Sequence, residues 1–115
     1  MKVSLVFVPP GGGESDYTLE FDLPSIPRPG DYLSIRRLNQ EGTSDFIVRR
    51  TWWHLYYPSD ALYQDAKDTT HGTVKGIAVE CEFARGPYSG NEHKKSCDSY
   101  DLRKGTIKSF EDTAY

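Results

Sequence analysis

Apolar and polar positions alternate with a period of two along most of the chain, the pattern of strands with one buried face. In KVSLVFV, residues 2–8, Val3, Leu5 and Phe7 share a face. In DYTLEFDL, Tyr17, Leu19, Phe21 and Leu23 point one way, with Thr18, Glu20 and Asp22 opposite. The intervening PPGGGESD is a turn by composition, its glycines free to take positive φ, so the two segments read as a hairpin. PSIPRPGD, with its prolines, is a loop that cannot donate a regular ladder. Beyond it DYLSIRR turns Leu33 and Ile35 inward, LNQEGTSD is a second turn, and a long run spans Phe46–Tyr57. In TVKGIAVECEFA, Ile77, Val79, Cys81 and Phe83 alternate with Ala78, Glu80 and Glu82.

The pattern changes near residue 89. Ser89 and Glu92 have the spacing of a capping box, and helix-compatible residues run to about Arg103, with Gly105 as a stop. His93, Cys97 and Tyr100 fall on one side of such a helix, which is expected at the rim of a sheet. TIKSFEDTAY either adds a short last strand or docks Ile107 and Phe110. The prediction is a single domain, residues 1–115, mainly β with a helix near 90–103. It has five or six antiparallel strands, forming a small barrel or a strongly bent sheet.

The run RRTWWHLYY, residues 49–57, breaks the alternation. Read as one uninterrupted strand, each of its faces carries an arginine among apolar residues. A β-bulge near Arg49–Thr51 repairs this by flipping the register. Phe46 and Val48 then point inward before the bulge, and Trp53, Leu55 and Tyr57 after it. Trp52, His54 and Tyr56 form a second face with Arg50 at its edge. Three uses are open to this face. The helix or the 58–72 loop covers it, which is the ordinary use of such a surface; it forms a two-fold interface; or it is a ligand platform.

Composition narrows the function. A chain of 115 residues with 37% hydrophobic and 13% aromatic residues has enough to build one core without metals or disulfides. A net charge of −3 disfavours broad binding to nucleic acid by phosphate neutralisation. The apolar stretch after Lys2 stops at Pro9-Pro10, too short for a signal peptide, and nothing approaches a membrane span. Two cysteines make no disulfide framework, so the expected setting is cytoplasmic.

Candidate chemistry is sparse. Arginines interleaved with aromatics can bind single strands, rings stacking on bases and guanidinium groups holding phosphates. The set here would be Arg36, Arg37, Arg49, Arg50, Trp52 and Tyr56; against it, Arg49 or Arg50 is expected to pair across strands with Glu80 or Glu82. His93 and Cys97, four apart on the helix, could face one metal or form a base and nucleophile. The only other soft donors are His54, His71 and Cys81, so no metal site, no cofactor and no catalytic residue is assigned. No phosphate loop, nucleophile elbow or dinucleotide fingerprint occurs, and Gly11–Gly13 is a turn with no helix after it.

The segment LPSIPRPGDYLSIRR followed by FIVRRTWWHLYY resembles small β-rich bacterial proteins carried on mobile elements, among them integron gene cassettes and phage-like islands. In these, Leu-Pro and then Pro-x-x-Gly-Asp open a strand, and a turn leads to a second strand ending in aromatics. The resemblance implies a compact, dimer-forming β-fold and carries over no catalytic residue. The combined expectation is a non-enzymatic interaction module, a homodimer or binder of another protein, with Arg50, Trp52, His54 and Tyr56 as its partner- or ligand-binding surface. A single-stranded nucleic-acid or nucleotide binder is the alternative, and a small-ligand enzyme the third.

Overall fold

A computed structural model describes residues 1–59, 71–104 and 108–109. Strands β1 (Lys2–Val8), β2 (Tyr17–Asp22), β3 (Tyr32–Ile35), β4 (Ser44–Tyr56) and β5 (Thr73–Arg85) precede helix α1 (Asn91–Lys104) and the two-residue strand β6 (Lys108–Ser109). They form one curled, half-barrel sheet in the order β2-β1-β5-β4-β3, with β6 also on β5. The mainly-β prediction with one late helix holds, but the sheet is mixed rather than fully antiparallel. β1 lies parallel to β5, Ser4 opposite Ala78 and Val8 opposite Glu82, and β6 pairs with β5 in the same sense. Residues 105–107 and 110–115, including the Gly105 stop and the proposed docking of Ile107 and Phe110, lie outside the described residues.

Alternation places the core as expected. Val3, Leu5 and Phe7 of β1 meet Phe46 and Val48 of β4 and Val79, Cys81 and Phe83 of β5. Tyr17, Leu19, Phe21, Leu33 and Ile35 pack at its margin. Rings fill the centre: Phe7 lies 4.3 Å from Phe46 and Phe46 5.1 Å from Phe83, centroid to centroid. Phe7 and Phe46 are wholly buried, each contributing about 1.5–3 kcal/mol of transfer free energy. α1 covers one end of this layer through His93, Cys97 and Tyr100, with Tyr100 4.9 Å from Phe83 and the His93 ring stacked on Phe83 at 5.7 Å.

The bulge read from parity is present: the β4–β5 register shifts between Val48 and Arg50, leaving Arg49 unpaired in the ladder. On the sheet's other side Ile47 and Glu82 are also buried, and the turn after β1 folds over Glu82. Gly11 N–H donates to Glu82 Oε1 at 2.7 Å, and Arg49 Nη1 donates to the same oxygen at 3.1 Å. Gly12, at φ +92, lets the chain pass so close that a Cβ would sit 2.9 Å from the Arg49 guanidinium carbon. Alternation alone had placed Glu82 on an open face.

The capping box does not form. The Ser89 hydroxyl accepts from Gly86 N–H at 2.9 Å and donates to Asp45, so it is turned away from the helix. The first turn instead begins at Gly90, whose carbonyl accepts from Lys94 N–H at 2.9 Å.

Candidate functional site

β4 and β5 each run 13 residues, whereas β1 has 7 and β3 has 4. β3 flanks β4 only over Ser44–Ile47, and β1 flanks β5 only over Ala78–Glu82. Beyond the pair Trp52–Ala78, among the described residues, the sheet is two strands wide. This β-arm continues to Tyr56 opposite Thr73, roughly 15 Å at about 3.3 Å per residue. A second irregularity, between His54 and Leu55, adds Lys75 to the β5 side.

All four expected surface residues sit on one face of the arm. Arg50, Trp52, His54 and Tyr56 stand opposite Glu80, Ala78, Gly76 and Thr73. Trp52 is 55% exposed and Tyr56 50%, and the described part of α1 packs on the other end of the sheet; residues 60–70 of the loop expected to cover this face lie outside the described residues. Lys75 Nζ lies over the Tyr56 ring, 5.4 Å from its centroid, a cation–π contact.

The opposite face also differs from expectation. Trp53, Leu55 and Tyr57 do continue the side on which Val79 and Ile77 are buried, as parity requires, but they are 51%, 71% and 39% exposed. The reason is width: among the described residues no third strand lies alongside the arm to pack against this face. Val74, paired with Leu55, is exposed with it. Parity tells which side a residue faces and not how far the sheet extends.

The arginines are engaged. Arg49 Nη1 and Nε reach Glu82 Oε1 at 3.1 Å and Glu80 Oε2 at 3.3 Å, and Arg50 Nε reaches Glu80 Oε2 at 2.8 Å. The Glu80 contacts are ionic rather than directional, for that buried oxygen accepts no aligned hydrogen bond. Arg37 Nη2 donates to the Tyr17 hydroxyl at 3.0 Å. The expected cross-strand pairing thus accounts for both arginines at the base of the arm.

His93 and Cys97 do come together, Nε2 to Sγ 3.5 Å, but inside the fold. Cys97 has no exposed surface, and His93 Nε2 lies 2.6 Å from the Ala84 carbonyl oxygen, the distance of a donated hydrogen bond. A cleft of about 210 Å³ between residues 39–44 and the start of α1 touches His93 and Glu92, yet Nε2 is turned away toward β5. Cys81 is an inert core group; burial, then the Glu80 carboxylate, pushes its thiol up to about 12. Among the described residues no three His, Cys, Asp or Glu side chains are grouped to hold a metal ion.

Sequence reading missed a second polar feature. Asp45, 2% exposed, accepts hydrogen bonds from the hydroxyls of Ser34 (2.5 Å), Thr43 (2.9 Å) and Ser89. It ties β3, the β3–β4 turn and the loop before α1 together, a structural role for a buried charge.

No family model, no curated protein and no solved structure matches the chain. The resemblance to mobile-element proteins therefore rests on its sequence motif alone. No helix among the described residues is long and apolar enough to cross a membrane.

Proposed function

We propose that this chain is a non-enzymatic interaction module that works as a homodimer through its β4–β5 arm. The observation that carries the reading is the exposure of large apolar side chains on both faces of a two-stranded extension. Trp52, Trp53, Leu55, Tyr56 and Val74 are each at least half exposed. An isolated hairpin is marginal in water, and a clustered apolar surface of this kind marks a place where another molecule packs. Aromatics on such a surface suit protein interfaces. A cytoplasmic setting fits two buried cysteines that form no disulfide. Against a single-stranded nucleic-acid binder stand the ion pairs of Arg49 and Arg50, which use the charges that would hold phosphates.

Sedimentation across a wide concentration range tests the reading, together with the stability of arm variants at low concentration. The expected results are a reversible monomer–dimer equilibrium and a melting temperature for Trp52→Ser within about 3 °C of the parent, since the ring adds little to the monomer's fold. A strict monomer at high concentration overturns the homodimer. A large loss of monomer stability in Trp52→Ser overturns the arm as a surplus surface.

A further inference from the structure

Resting on that reading, we infer that the second copy seats on the face of Trp53, Leu55 and Val74, and not on the face of Arg50, Trp52, His54 and Tyr56. The two faces differ in charge. A two-fold interface sets a surface against itself, so every charged group near the axis meets its own like. The Trp52 face carries the ion pair of Arg50 with Glu80 and, further along the arm, His54 and Lys75, the last lying over the Tyr56 ring. The Trp53 face presents Thr51, Trp53 and Leu55 from β4, opposite Val79, Ile77 and Val74 from β5, with Tyr57 beyond them and no acidic or basic side chain among the described residues. Of these two faces, as far as the described residues form them, it is the one that meets its own copy without like-charge contact.

Continuity points the same way. This face extends the hydrophobic core outward, for Val79 and Ile77 at its base are buried while Trp53, Leu55 and Val74 beyond them are open. A second arm laid across it prolongs an existing apolar layer. The area is also adequate. A whole aromatic side chain presents about 150–250 Å², so a half-exposed Trp53 with Leu55, Val74 and part of Tyr57 offers roughly 400 Å² per copy. The paired total, on the order of 800 Å², belongs to small, weak and reversible interfaces. The dimer then leaves the Trp52 face outward.

Face-specific charge variants test this in the intact chain. Leu55→Glu should weaken association at least tenfold in sedimentation, whereas His54→Glu, on the other face, should change it less than threefold. Circular dichroism of both should match the parent. Mixing Leu55→Glu with Leu55→Lys should restore association at low salt, a rescue that a folding defect would not give. The outcomes separate the two readings. A parent chain that stays monomeric removes the homodimer itself. A parent dimer that Leu55→Glu leaves intact, or that His54→Glu breaks as readily, overturns only the choice of face.

Discussion

Removing the Asp45 carboxylate should be among the costliest single changes in the chain. In Asp45→Ala the Ser34, Thr43 and Ser89 hydroxyls lose their common acceptor. A hydrogen bond to a charged group is worth about 1.5–3 kcal/mol, but the three losses are unequal. Ser34 is exposed and Thr43 half-buried, so water replaces much of what they lose. Ser89 is only 8% exposed and keeps an unmet donor beside a new void. The carboxylate also packs on Gly86, where a Cβ would lie 2.6 Å from the Asp45 carboxyl carbon, so truncation removes contacts as well. Returning the carboxylate's own desolvation cost offsets part of the sum. The net expectation is a loss of about 3–4 kcal/mol. At roughly 2.1 cal/mol/K per residue of unfolding entropy, that is a fall of about 12–17 °C in Tm for 115 residues. Asp45→Asn keeps the shape and one acceptor oxygen, so it should lose about 1–2 kcal/mol. Urea and thermal unfolding followed by circular dichroism measure both. A loss under about 1 kcal/mol for Asp45→Ala, or equal losses for the two variants, would refute a hub of three hydroxyls on one carboxylate.

Two further predictions concern backbone contact and pH. A Cβ on Gly90 would sit 2.3 Å from the Glu41 carbonyl oxygen, so Gly90→Ala should cost about 2 kcal/mol or more in urea unfolding. Gly76→Ala in the arm, with no atom within 4 Å of the new Cβ, should stay within about 1 kcal/mol of the parent. Cys81 titrates near 9.0 when unfolded and at about 12 in the fold, so between these values the unfolded chain binds fewer protons. Its contribution to stability is therefore complete below pH 9 and declines as pH rises toward 12, at up to about 1.4 kcal/mol per pH unit. Burial raises Tyr17 as well, which adds to the decline at higher pH. Urea midpoints between pH 8 and 10.5 should fall more steeply for the parent than for Cys81→Ala; parallel slopes would contradict the burial of that thiol.

Much of this architecture is legible in the residues because period two fixes faces. Val3, Leu5, Phe7, Phe46, Val79 and Phe83 reach the core their alternation assigns, and two arginines interrupting an apolar run betray the bulge at Arg49. Neighbours are a different kind of information. No alternation says that Ser4 pairs with Ala78 in parallel, since that depends on how distant segments meet. Nor does it show that Trp53 and Leu55 extend past the last flanking strand. Ser89 illustrates competition: its spacing to Glu92 suits a cap, but the buried Asp45 offers the hydroxyl a charged acceptor and wins it. The candidate surface of Arg50, Trp52, His54 and Tyr56 was readable as a face; its apolar reverse was not, because being open requires knowing what is absent beside it.

The parallel pairing of β1 with β5 bears on the order in which the chain assembles. β1 and β2 leave the ribosome as an antiparallel hairpin whose apolar face has no opposing layer. Their neighbour in the sheet begins only at Thr73 and meets β1 over Ala78–Glu82. At about 5–20 residues per second the N-terminal hairpin waits several seconds for that strand. β4 and β5 are joined to each other directly in sequence and share the longest ladder. β1, in contrast, meets β5 across about 70 residues of intervening chain. Distant pairings of this kind slow folding, so the docking of residues 2–8 on β5 is expected to come after β4 and β5 have paired.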